Sequence, residues 1–175
     1  MKPEDVDSEI HRLCKAWRLT ESPAKTVWDE VAPNATSRGL GPLTRRVIAA
    51  FGNSGPSPDY GSLKILAPKE IDPCLERITN EARQYAHKMT SPFPVFPSEG
   101  CLIPVIWIEP DASIYVLGFH DDLIVYRYGV DEFWAVWNGS VVDFLVGIRE
   151  PEIFALSDPF DAFRGANPET WGVWA

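Results

Sequence analysis

His120, Asp121 and Asp122 form the densest run of side chains able to bind a cation or move a proton in this 175-residue chain. An imidazole beside two carboxylates offers donor types that a divalent ion accepts, but the surrounding sequence supplies no evident further ligands. The trio also falls between two apolar runs, where Asp is favoured because its side chain bonds to nearby backbone. It reads as a solvated turn, and no metal site is assigned to it.

Nucleophilic chemistry fares no better. A hydrolase needs a nucleophile, a base and a group that orients the base. His11 and His87 fall within helical patterns, and Ser140 lacks a G-x-S-x-G elbow and suits a helix cap. Cys14, Cys74 and Cys101 are odd in number and widely spaced, with no CxxC pair, so they signal neither a disulfide framework nor a zinc site. The expectation is a protein with no catalytic residues, no metal and no cofactor.

Charge says more. Residues 1–100 carry 13 Lys and Arg against 13 Asp and Glu, whereas residues 101–175 carry 3 against 12, so the second part holds the whole net charge of −9. A surface of that sign repels phosphate backbones and attracts basic proteins, which argues against nucleic acid as a partner. No apolar run reaches the roughly 18 residues of a membrane span, and the start MKPEDVDSEI is too polar for a secretory signal, so a cytoplasmic protein is expected.

The elements that must position these groups follow from apolar spacing. Ser8–Leu19 places Ile10, Leu13, Cys14 and Trp17 on one helical face, with Ser8 as a cap, and Pro42–Phe51 does the same with Leu43, Val47, Ile48 and Phe51. GNSGPSPDYG has loop composition and lacks the spacing of a phosphate cradle. A short strand is expected at Leu63–Leu66, then a helix opened by Asp72 and Pro73 and running to about His87.

From Cys101 the pattern turns to β. CLIPVIWI, SIYVLGF, LIVYRY and EFWAVW are separated by connectors too short for parallel crossovers, so a four-strand antiparallel meander is expected. Ser140 or Asn138 caps the helix GSVVDFLVGI behind it, and the tail 150–175 is read as irregular, with Phe154, Phe160, Phe163, Trp171 and Trp174 laid across the core. The fold class is α+β: a twisted, largely antiparallel sheet, with one or two strands from the first half, packed against helices in one domain over 1–175.

The motifs FPVFPSEGCLIP, YGSLKILAPKEI and EFWAVWNGSVVDFLVGI resemble the SMI1/KNR4 (SUKH) superfamily, most clearly over residues 40–150. Gly100, Leu102, Ile103 and Pro104 stand where the family has its Gly-Leu-Leu-Pro strand, and Ser140, Phe144 and Leu145 match its S-x-x-x-F-L helix. The chain departs at EPDAS, where Asp111 and Ala112 replace the Gly and Asp of the family's turn. The resemblance implies a non-enzymatic immunity protein that binds and neutralises a cognate toxin, often a nuclease or deaminase. A regulatory or scaffold interaction module is the alternative, and a small-molecule enzyme with a pocket between helices and sheet is the third reading.

An interface of that kind uses aromatic anchors rimmed by charge. Asp111, Asp121, Asp122, Asp131 and Glu132 are the expected partner-binding residues, with Trp134 as the anchor, and together they would form one docking platform for a cationic protein.

Overall fold

The computed structural model describes residues 2–21, 25–57, 62–84, 103–109, 114–119, 121–127, 134–137, 139–149 and 167–173. The architecture is α+β, with helices packed on small antiparallel sheets.

Helix α1 (Pro3–Trp17) presents Val6, Ile10, Leu13 and Trp17 at three- and four-residue spacing, and all four are buried. It begins five residues before Ser8, the cap expected from the sequence. Pro3 at the first helical position needs no N–H partner, and the Asp5 carboxylate accepts the Lys2 N–H at 3.0 Å. Arg18, in the left-handed region at φ 54°, ends it. Two short helices follow, α2 (Trp28–Val31) and α3 (Pro33–Ser37), and then α4 (Pro42–Phe51), which buries Leu43, Thr44, Val47, Ile48 and Phe51.

The segment read as a loop contains a strand. β1 (Ser54–Pro56) pairs antiparallel with β7 (Trp171–Val173), from the tail, and its Gly55 lies so close to the Leu63 carbonyl that a Cβ there would collide with it. Neither strand has a recognisable local pattern, because each is held by a partner more than a hundred residues away. The tail is therefore ordered over its described part: a 3-10 turn at Pro168–Thr170 precedes β7, and Trp171 packs against Trp17 (ring centroids 5.2 Å apart) and Phe51 (6.1 Å).

β2 (Ser62–Ile65), β3 (Ile103–Glu109), β4 (Ile114–Phe119), β5 (Asp122–Arg127) and β6 (Trp134–Trp137) form a five-stranded sheet in sequence order, every neighbouring pair antiparallel. On one face Leu63, Ile65, Ile106, Ile108 and Val116 join the core together with α1, α4 and α6 (Val141–Gly147). Trp17 is central to this core, 1% exposed, and its indole N–H donates to the Leu145 carbonyl at 2.8 Å. Helix α5 (Pro68–Gln84) lies against β3 and buries Ile71, Cys74, Leu75 and Ile78.

Helix α5 starts four residues before Asp72, where the sequence places its opening. Glu70 accepts the Ala67 N–H at 2.8 Å and so caps the helix a turn earlier, leaving Pro73 inside it. The cost of Pro73 is one backbone bond in the ladder.

Candidate protein-docking surface

The positions that matter most for docking are those of the carboxylates. Among the described residues, five of them accept backbone N–H groups at helix N-termini, where unpaired N–H groups and the helix dipole favour negative charge. Asp5 serves α1, Glu70 serves α5 and Asp143 serves α6, each from within its own helix. Asp72 and Asp121 reach across the fold instead. Asp72, in α5, accepts the Asn34 and Ala35 N–H groups of α3 at 2.9 and 3.0 Å.

Asp121, in the turn between β4 and β5, is half-buried and accepts the backbone N–H and the hydroxyl of Thr44 at 3.0 and 3.1 Å. The first residue of the α4 cap, Gly41, has no side chain to offer. A Cβ on Gly41 would run into the Asp121 carboxylate, so the glycine leaves the space that the aspartate fills. Asp121 thus joins the β4–β5 hairpin to α4, and its carboxylate oxygen is held by the fold. Its expected role as a freely presented docking carboxylate has to be set against this structural one.

Of the other expected partner-binding residues, Asp111, Asp131 and Glu132 lie outside the described residues. Asp122 opens β5 opposite Phe119, and Trp134 opens β6 opposite Tyr126. Tyr126 stands four residue steps along β5 from Asp122, about 13 Å along the strand. The structure therefore does not bring the Asp121–Asp122 turn beside Trp134; they stand at opposite ends of the β5–β6 pair.

What Trp134 does join is a row that crosses the whole sheet. The pairings run Lys64 to Trp107, Trp107 to Tyr115, Tyr115 to Tyr126 and Tyr126 to Trp134, so these five residues occupy one register row across the strands. At the β2–β3 end the row is anchored. The Lys64 ammonium lies 5.1 Å from the Trp107 ring centroid and 3.0 Å from Glu70, and the Arg77 guanidinium of α5 lies 5.3 Å from the same ring. Lys64 is only 9% exposed, its ammonium held by Glu70 and the indole face. The row is not legible in the sequence, because cross-strand register is not visible in one strand at a time.

Chemistry in the described residues is sparse. They contain no group of three or more His, Cys, Asp or Glu side chains placed to hold a metal ion. Burial, reinforced by the nearby Glu21 charge, pushes the Cys14 thiol up, which keeps it protonated and a poor nucleophile at neutral pH. A cleft of about 620 Å³ between α1 and α6 is lined by Asp5, Ser8, Glu9, Arg12, Ser140 and Asp143, but its charged groups pair with each other: Arg12 meets both Glu9 and Asp143. No helix among the described residues is long and apolar enough to cross a membrane.

No family model, no curated protein and no solved structure matches this chain.

Proposed function

We propose that this chain is a protein-binding domain of the SMI1/KNR4 type that acts as an immunity protein, occluding the working surface of a cationic toxin. The observation that carries this reading is the placement of charge. With Asp121 and Asp143 set aside as helix caps, residues 101–175 still hold ten carboxylates against three cations. Nuclease clefts are cationic because they bind phosphate backbones, so a strongly acidic half is electrostatically matched to cover one. The element order lends support to the fold assignment: helices first, then an in-order antiparallel sheet, then a capped helix directly after the aromatic strand β6.

Trp134, which opens the edge strand β6, is the proposed aromatic anchor of that interface. Asp131 and Glu132 stand three and two residues before Trp134 in sequence. Of the expected docking carboxylates, Asp131 and Glu132, nearest Trp134 in sequence, are the better candidates, since Asp121 already has a structural task.

Co-expression with a toxin encoded beside this gene is expected to restore growth to cells that the toxin alone kills. Charge reversal at Asp131 and Glu132 is expected to slow association, most visibly at low salt, where rim charges steer encounter. Failure to rescue, or an association rate indifferent to both reversals, would remove this reading.

A further inference from the structure

One groove of the molecule has the opposite electrostatic character. It measures about 560 Å³ and lies between the segment Lys25–Trp28 and one face of α4. Pro42, Arg45, Arg46 and Ala49 form that face, at helical spacings of three and four, on the side away from the buried Leu43, Val47 and Ile48. Lys25, Thr26, Val27 and Trp28 form the other wall. The lining thus holds three cations, no carboxylate, and an apolar floor that includes Val27, a large aliphatic side chain left 55% exposed.

The cations are partly oriented already. Arg45 donates through Nε to the Leu40 carbonyl at 2.7 Å, which fixes the plane of its guanidinium. Arg46 receives the carboxylate of Glu21, from the segment after α1. That ion pair places the carboxylate of a neighbouring segment on this face of α4, beside a guanidinium.

We propose that this groove binds an acidic segment of another protein, with an apolar residue of that segment seated against Val27 and Trp28 and its carboxylates on Lys25 and Arg45. Charge complementarity selects the occupant: a chain of net charge −9 that gathers three cations around an exposed apolar side chain has a local site for negative charge. The groove is distinct from the acidic half invoked above, so either reading can fail while the other stands.

The test is fluorescence anisotropy with a fluorescein-labelled peptide of alternating Glu and Leu pairs, titrated with the intact protein. Saturable binding is expected, lost when Lys replaces Glu in the peptide and weakened when Ser replaces Leu. Lys25→Glu removes one attraction and adds one repulsion, each worth up to about fivefold at an exposed site, so a weakening of about tenfold is expected. Val27→Ser should weaken binding about threefold through lost apolar contact. Lys25 and Val27 are both exposed and outside the core, so these variants should fold normally, which circular dichroism would check. The proposal is overturned if the Glu-Leu peptide shows no saturable binding, if the Lys-substituted peptide binds as well, if Lys25→Glu and Val27→Ser leave the affinity unchanged, or if a single-stranded oligonucleotide binds more tightly at the same residues.

Discussion

The N-termini of α4 and α6 solve one physical problem in two ways. At α6, Ser140 and Asp143 cap each other's backbone: the Ser140 N–H donates to the Asp143 carboxylate at 2.9 Å, and the Asp143 N–H donates to the Ser140 hydroxyl at 3.2 Å. At α4 the cap residue is glycine, and the acceptor for the Thr44 N–H comes from Asp121, 77 residues beyond Thr44. The first cap is written locally as S-x-x-D and forms with the helix itself. The second exists only when the β4–β5 hairpin has docked on α4, so it couples the helical part to the sheet. A carboxylate in a surface turn can therefore be a tertiary tie, and its residue type alone does not separate that role from partner binding.

Removal of the long-range cap is expected to have the larger effect. Asp121→Ala strands the Thr44 N–H and also the Thr44 hydroxyl, which belongs to a fully buried residue, so a loss of about 2–3 kcal/mol is expected. Denaturant unfolding would measure it, and a loss below about 0.5 kcal/mol would show that Asp121 contributes no more than an ordinary surface residue. If the loss arises from the cap, a local replacement should recover part of it. Gly41→Ser on top of Asp121→Ala places a hydroxyl at the cap position, in extended backbone that serine adopts readily, and should return about 1 kcal/mol. In the presence of Asp121 the same serine should destabilise instead, because its Cβ meets the carboxylate. The opposite signs of Gly41→Ser in the two backgrounds are the sharpest form of the comparison, and equal effects would refute the mechanism.

The same contrast marks what the sequence makes legible. The helix Pro42–Phe51 has identical bounds in the structure, and the described parts of the apolar runs after Cys101 fall in β3 to β6, because the pattern of apolar residues is a local property. The Ser140 cap is readable for the same reason. Strands β1 and β7 are not: Ser-Gly-Pro and Trp-Gly-Val have no strand pattern of their own and are held by each other. Helices α2 and α3 are too short for periodicity to register, and the start of α5 depends on Glu70 acting as its cap while Asp72 is taken by α3. Within the expected docking set, the sequence places Asp121 in a turn, as the structure does, but it cannot show that Asp121 faces Gly41 or that Asp122 and Trp134 occupy opposite ends of β5 and β6.

At α6 the expected loss is smaller and depends on pH. Asp143→Ala removes a local cap and an ion pair with Arg12 that is well exposed, so about 1 kcal/mol is expected at neutral pH, less than for Asp121→Ala.

The smallest effect is the most diagnostic. Partial burial alone would raise the Asp143 pKa, but the hydrogen bonds from Arg12 and Ser140, with the Arg12 charge, outweigh it and hold the carboxyl below its ordinary range. A carboxyl depressed in the folded state stabilises the fold fully above its unfolded pKa, near 4, and loses that contribution as pH falls through the lower folded value. Asp143→Asn keeps an acceptor at the cap yet cannot titrate there. The stability gap between wild type and Asp143→Asn should therefore be constant above about pH 5 and shrink as pH falls below about 4, by well under 1 kcal/mol in total because the side chain is 40% exposed. Urea unfolding of both proteins across that range would resolve it. A gap that stays constant into strong acid would mean that Arg12 does not hold Asp143 ionised, and the link between α1 and α6 would then rest on apolar packing around Trp17 and Leu145.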